Sequence, residues 1–271
     1  MLRVLGKLLL IGFACLIIAP LLIVVFTVFK SNAEFYSNPI SIPVQFTLDN
    51  LKSLFSKQTM LLYFWNSAVV TLVTVALELL LASSIAYAIM RYGKSKIGGI
   101  IFALFAVGLM IPSQVNMIPI YALLRDLSLT NNHLGLILVT LTILLPLSVF
   151  MLTGFVKTLP KEIIEAGEID GASEYRLFAQ IVVPLTAPYL ATTAAFLFVI
   201  VWNDLLFPML LLVEKSKLTL PLALIQFKGE YITNYPLLMS GVIVTALPMI
   251  LMFVFLQRYF IAGALAGSLK G

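Results

Sequence analysis

The sequence predicts an all-α membrane protein with six transmembrane helices. Hydrophobic residues make up 61% of the 271 positions and charged residues only 11%, where a soluble domain carries about 25% charge. Mean hydropathy is +1.09. The apolar residues also gather into uncharged runs, and a helix needs about 20 such residues to cross roughly 30 Å of hydrocarbon.

The first span is read at residues 8–29, after Arg3 and Lys7. A charged start followed by an apolar run resembles a secretory signal, but this run is too long for a signal core. Lys30-Ser31-Asn32 also offers no small-residue cleavage site, so the segment reads as a retained anchor. The polar stretch that follows carries Pro39 and Pro43 and is placed over the outer face. The second span, 64–90, is interrupted by Glu78. An acid at a helix centre costs about 3 kcal/mol, while each surrounding Leu, Ile, Val or Phe returns about 0.3–0.6, so insertion still wins.

The third span, 98–124, contains Pro112 and Pro119. Each removes a backbone donor, and the freed carbonyls need a partner other than lipid. A packing kink and a bend beside a water-filled pathway both satisfy that need. Residues 134–156 form the fourth span, 187–213 the fifth with Trp202, Asn203 and Asp204, and 234–257 the sixth, leaving 258–271 as a tail. Placing both termini in the cytoplasm puts ten basic residues inside against seven outside, the sense of the positive-inside rule. That bias accounts for the net charge of +5 without any nucleic-acid surface. The single cysteine, Cys15, excludes an internal disulfide.

The inner connector at residues 160–184 is longer and more polar than its topological task requires, since a few residues suffice to join two helices. Pro160 suits a first helical position, and Gly171 suits the turn that ends a short helix. Ile163, Ile164 and Ala166 are its apolar residues. A helix this short is marginal in isolation, so it needs a docking surface. A second helix carrying Tyr175, Leu177, Phe178 and Ile181 then leads to Pro184, giving helix, turn, helix on the inner face.

Other chemistry is poorly supplied. Gly93-Lys94-Ser95 ends like a phosphate-binding loop, but Ala88 stands where the first glycine is required. There is no H-E-x-x-H, and His133 is the one histidine. No metal site or other catalytic apparatus is visible. Glu78 and Asp204 are the acids within the spans and thus candidates for function. A proton-coupled secondary transporter using one of them is the rival mechanism, and an intramembrane enzyme is a more distant one. For Asp204, a packing hydrogen bond and a place on the pathway both remain open. For Trp202, so do interfacial packing and a stacking surface on the pathway.

Glu165-Ala166-Gly167, three residues, Gly171, nine residues, then Ile181-Val182-Val183-Pro184 resembles the EAA loop of permease subunits in binding-protein-dependent ABC importers. Gly167 stands where a third alanine is usual, and Val183 where leucine is usual. Asn66-Ser67, Met110-Ile111-Pro112, Asp170-Gly171-Ala172 and Trp202-Asn203-Asp204 resemble the carbohydrate-uptake branch. The tail from Gln257-Arg258-Tyr259-Phe260 to Lys270-Gly271 resembles its MalG-type members, although glutamate is common there at the position of Asp204.

The resemblance implies a type I ABC importer permease in the cell membrane, with 160–184 as a cytoplasmic coupling helix and loop. It implies a second homologous permease subunit, a cytoplasmic ATPase dimer and an extracytoplasmic solute-binding protein. ATP and Mg would be used by the ATPase subunits, with no cofactor bound by this chain and no catalysis in it. Glu165, Ala166, Gly167, Asp170, Gly171, Ile163 and Ile164 would couple to the ATPase, with Gly171 packed closely against it. Trp202, Asn203, Asp204 and Glu78 would be candidates for the translocation pathway, and a sugar or oligosaccharide would be the cargo.

Overall fold

A computed structural model of the chain describes residues 2–56, 59–93, 95–225 and 234–268. Among the described residues the regular structure is entirely helical. The chain divides into two compact units: Met1–Phe64 with Thr219–Pro248, and Trp65–Leu218 with Met249–Gly271.

In the first unit, helix α1 (Leu2–Val28) is apolar on every side and exposed along nearly its whole length. That pattern suits a helix whose solvent is lipid. Its end is finished by two devices. Asn50 donates through Nδ2 to the carbonyls of Val28 and Lys30, each at 2.8 Å, which satisfies acceptors that a helix C-terminus leaves open. Lys30 is fully buried and donates from Nζ to the carbonyls of Asn38 (2.8 Å) and Pro39 (3.3 Å) and to Ser41 Oγ (3.2 Å). The polar stretch after α1 is thereby folded around one ammonium, with short helices α2 (Asn32–Ser37) and α3 (Asp49–Ser56) on either side. Helix α4 (Thr59–Tyr92) begins in this unit.

Most of α4 belongs to the second unit, with α5 (Lys96–Gly108), α6 (Met117–Asp126), α7 (His133–Val156), α8 (Lys161–Ile169), α9 (Glu174–Arg176), α10 (Val183–Trp202) and α11 (Leu206–Leu211). The first unit takes up the chain again with α12 (Leu220–Ile225) and the start of α13 (Tyr235–Ser268). These two meet closely at Gly241, where an added Cβ would lie 2.3 Å from Leu224 Cδ2. Among the described residues, five helices are long and apolar enough to cross a bilayer. The sixth segment of spanning length is a pair, Lys96–Gly108 and Ser113–Asp126, bent by 85°.

That bend differs from the single continuous span expected at 98–124. Pro112 has no N–H to continue α5, and the chain restarts as a 3-10 turn at Ser113–Asn116. Pro119 does no damage, because it sits in the first turn of α6, where backbone donors lack helical acceptors anyway. Residues 187–213 likewise do not form one helix. α10 ends at Trp202, and α11 starts only at Leu206, with Pro208 in its first turn.

The start of the fifth span also lies earlier than expected. Glu174–Arg176 runs through a π-helical stretch, Leu177–Val182, directly into α10. Pro184 explains the widened turn, since its ring would crowd the carbonyl four residues back and it donates no hydrogen bond. Thr186 Oγ1 donates to the Val182 carbonyl one turn back (2.7 Å). The tail at 258–271 is helical as far as Ser268, and its side chains lie outside the described residues.

The core of the second unit forms where one end of α4 meets one end of α7. Ala82, Ala86 and Ile89 of α4, Val149, Leu152 and Val156 of α7, and Leu177 and Val182 of the π turn are buried together with Ile164 of α8. The connector at 160–184 is thus packed onto α4 and α7 by its own apolar side chains.

Candidate functional site

Helix α8 follows Pro160, whose φ of −59° is already helical, and carries Glu162 in its first turn, where the helix dipole favours an acid. It ends in a Schellman motif. Gly171 N–H donates to the Glu168 carbonyl and Ala172 N–H to the Gly167 carbonyl, both at 3.0 Å. Gly171 has φ +74°, the left-handed conformation this motif requires and glycine adopts without strain. Ser173 then caps the next helix, its Oγ accepting from Arg176 N–H at 3.4 Å.

The loop has two faces. Ile164 and Gly167 are buried, and an added Cβ on Gly167 would lie 2.7 Å from Leu177 Cδ2 and 2.9 Å from Ile181 Cδ1. This explains glycine where the third alanine is usual, because α8 rests directly on the π turn. Gly167→Ala is expected to cost under about 1 kcal/mol, since two side-chain tips can shift, and Gly167→Leu about 1–3 kcal/mol through overpacking. Thermal unfolding of the two variants checks the ordering. On the other face, Ile163, Glu165, Ala166, Asp170 and Gly171 are exposed, with Ile169 and Tyr175 at 86% and 77%. The apolar residues expected to share one docking surface are therefore divided: Ile164 is taken by this chain, whereas Ile163 and Ala166 remain outside.

An ionic clamp fixes the inward face to α4. Arg91 Nη2 lies 2.5 Å from Glu168 Oε1 and 2.6 Å from Glu174 Oε1. Tyr87 donates its hydroxyl to Glu174 Oε2 at 2.5 Å and packs its ring against Phe178, with centroids 5.5 Å apart. One guanidinium thus holds both sides of the Gly171 turn. The sequence reading counted Arg91 only as an inner positive charge and did not single out Tyr87. The available signal was their i, i+4 spacing at the end of an otherwise apolar helix, which places them on one face.

The two helix breaks meet at a second place. A cavity of about 200 Å³ is lined by Ser113 and Gln114 from the break after α5, Thr140 of α7 and Asp204 from the break after α10. Asp204 is half-buried, and its Oδ1 accepts from Leu206 N–H at 3.1 Å. The other candidates for a pathway lie elsewhere. Trp202 is buried and stacked on Phe198. Asn203 donates to the Val199 carbonyl (2.8 Å) and to Met249 Sδ (3.2 Å). Glu78 is fully buried beside Ser148 of α7. Of the four, only Asp204 lines this cavity, and the reading missed Ser113, Gln114 and Thr140.

Helix α8 thus leaves one face exposed and is pinned by the other to α4, α7 and the π turn. Residues 78–264 match the family described as the binding-protein-dependent transport system inner membrane component. The chain belongs to that family. This inner membrane component is 35% identical over 275 residues to the arabinooligosaccharides transport system permease protein AraQ of Halalkalibacterium halodurans, covering 99% of this chain and 98% of that one. It is 34% identical to the multiple sugar-binding transport system permease protein MsmG of Streptococcus mutans, covering 94% and 92% of the two chains. Among solved structures, a bacterial ABC transporter involved in the import of the acidic polysaccharide alginate matches with a TM-score of 0.84 at 19% identity, covering 96% of each chain. That likeness establishes the all-helical fold. These relatives are named as transport permeases, and this permease is a transport subunit rather than an enzyme.

The end of the second unit opposite α8 is held by amides. Asn66 donates through Nδ2 to the carbonyls of Ser216 (2.9 Å) and Leu218 (3.0 Å). Asn131 Oδ1 accepts from the N–H groups of Val213 (3.2 Å) and Glu214 (3.0 Å). His133 Nε2 lies 2.8 Å from the Lys217 carbonyl, giving the one histidine a place in loop packing.

Proposed function

We propose that this chain is one of two homologous membrane-spanning permeases of an ATP-driven importer, moving a sugar or oligosaccharide delivered by an extracytoplasmic binding protein. The observation that carries the reading is the two-faced loop. Its inward face is fixed to α4 and α7, and its outward face exposes Ile163, Ala166 and Ile169 beside Glu165 and Asp170. An exposed apolar group rimmed by charge is the usual mark of a protein contact. The outward face docks on a cytoplasmic ATPase dimer, whose subunits use ATP and Mg, and the inward face transmits their closure to the spans. Both termini then lie in the cytoplasm.

Carbohydrate cargo is supported by the names of the relatives and by the chemistry of the cavity. Gln114, Ser113, Thr140 and Asp204 supply amide, hydroxyl and carboxylate groups, which are suited to sugar hydroxyls in a pocket with apolar walls. Asp204→Ala and Gln114→Ala are each expected to reduce uptake about tenfold, the equivalent of about 1.4 kcal/mol, without loss of the assembled complex. Uptake of labelled oligosaccharide into proteoliposomes measures this, and unchanged uptake in both variants would remove the cavity from the pathway. The function itself is tested by mild-detergent purification and reconstitution. A co-purifying ATPase and second permease, with uptake that requires ATP and resists a protonophore, supports the proposal. A solitary chain with protonophore-sensitive uptake defeats it.

A further inference from the structure

The inner-face end of the second unit holds two cavities that share one side chain. An apolar cavity of about 420 Å³ lies between α4 and α5, walled by Ile85, Ala88 and Ile89 on one side and Ile97, Ile101 and Phe105 on the other. A second, of about 370 Å³, is lined by Ile89 again, by Arg91, Lys157 and Lys161, and by Glu165 as its one acid. The hairpin that carries the first cavity is tightly closed. A Cβ on Gly98 would lie 2.3 Å from the Tyr92 carbonyl oxygen, and Ser95 caps α5 by accepting from Gly98 N–H at 3.1 Å.

The basic groups on the polar side have capacity left over. Arg91 spends Nη2 on Glu168 and Glu174, but its buried Nε has no hydrogen-bond partner among the described residues. Lys157 lies 4.7 Å from the centre of the Phe102 ring on α5, so its ammonium stands beside the hairpin. Among the described residues, neither Lys157 nor Lys161 forms an ion pair. With Arg91 already shared by Glu168 and Glu174, the unpaired positive charge of the cleft is that of Lys157 and Lys161, set against Glu165.

We propose that these two cavities together bind one anionic phospholipid of the inner leaflet, with an acyl chain between α4 and α5 and the phosphate between Arg91, Lys157 and Lys161. Apolar and basic compartments in contact match the two ends of such a lipid. Basic pockets between membrane helices on the cytoplasmic side favour anionic headgroups, which the negative inner leaflet supplies. From Ile97 to Phe105, α5 offers about 12 Å of wall along the bilayer normal, at about 1.5 Å per residue. A free anion would use the basic cleft and leave the apolar cavity without an occupant. The site rests on the inner-face placement proposed above. It gives that placement a consequence, because Lys161 and Glu165 belong to α8 and the lipid would touch the coupling helix itself.

The test uses the full-length chain with its co-purifying subunits, in nanodiscs of phosphatidylcholine with about 30 mol% phosphatidylglycerol as the anionic lipid. Native mass spectrometry after partial delipidation is expected to show one phosphatidylglycerol retained about tenfold more strongly than phosphatidylcholine. K157Q/K161Q should abolish that preference, and Ile101→Trp, which fills the apolar cavity, should displace the bound lipid. Soluble glycerophosphoglycerol and inorganic phosphate should not compete. Equal retention of the two lipids, or a preference that survives K157Q/K161Q in a variant with native thermal stability, overturns the proposal. Competition by inorganic phosphate would replace it with a plain anion site. Lipid retention is read without transport, so an importer with no lipid preference defeats this inference alone.

Discussion

Arg91→Ala is expected to cut sugar uptake by the assembled transporter about tenfold while ATP hydrolysis continues, so that the ratio of sugar moved to ATP consumed falls. The reason lies in what holds α8 in place. A nine-residue helix has little stability of its own, and two attachments fix it: burial of Ile164 in the core, and the bridge from Arg91 to Glu168 and Glu174. The bridge ties the loop to the end of α4, so motion of the loop becomes motion of a spanning helix. Its static contribution is small, about 1 kcal/mol or less, because the three side chains are 25–50% exposed and screened by water. Its mechanical contribution is larger, since without the guanidinium Glu168 and Glu174 are like charges left without their shared cation. Arg91→Lys should fall between, as an ammonium is a point charge and cannot present the same fork to two carboxylates. Raised ionic strength should reproduce part of the defect in the parent protein. Parallel assays of uptake and phosphate release decide it: an unchanged ratio for Arg91→Ala would mean that the core contact of Ile164 is sufficient for coupling.

How far the molecule could be read from its sequence depended on the range of the interactions. The spans at residues 8–29 and 134–156 were legible because a long uncharged run has no other stable home, and the structure has α1 (Leu2–Val28) and α7 (His133–Val156) there. The helix and turn of the inner loop were legible because Pro160 and Gly171 act locally, through a fixed φ and a left-handed one. What was not legible arose between distant segments. Pro112 and Pro119 announced a disturbance in the third span, but an 85° bend and its encounter with Asp204 depend on packing against α7 and α11. The Arg91 clamp joins positions 91, 168 and 174, and no local pattern encodes such a contact. Trp202 and Asn203 were read with Asp204 because they adjoin it in sequence. The chain leaves α10 after Trp202, so Asn203 and Asp204 do not continue the helix, and the three residues end in three different environments.

Gly171→Trp is expected to reduce uptake by more than tenfold and to weaken retention of the ATPase, and comparison with smaller residues at the same position can assign the cause. Two effects are superimposed here. The backbone stands at φ +74°, where a residue with a Cβ is disfavoured by roughly 1–2 kcal/mol. Separately, a Cβ on Gly171 would meet nothing within 4 Å among the described residues, so the first side-chain atom finds open space. Gly171→Ala therefore reports strain with almost no bulk. Gly171→Asn reports modest bulk with less strain, since asparagine tolerates the left-handed region. Gly171→Trp adds a large ring to the same strain as alanine. If glycine serves only to close the Schellman turn, Ala and Trp should lose uptake equally, and Asn should lose least. If the turn is pressed against the ATPase, Trp should lose far more than Ala at similar thermal stability, and Asn should no longer rank by backbone preference. Because Ala and Trp strain the backbone alike and their Cβ enters open space, a difference in uptake between them at equal thermal stability points to the docking partner rather than to the turn.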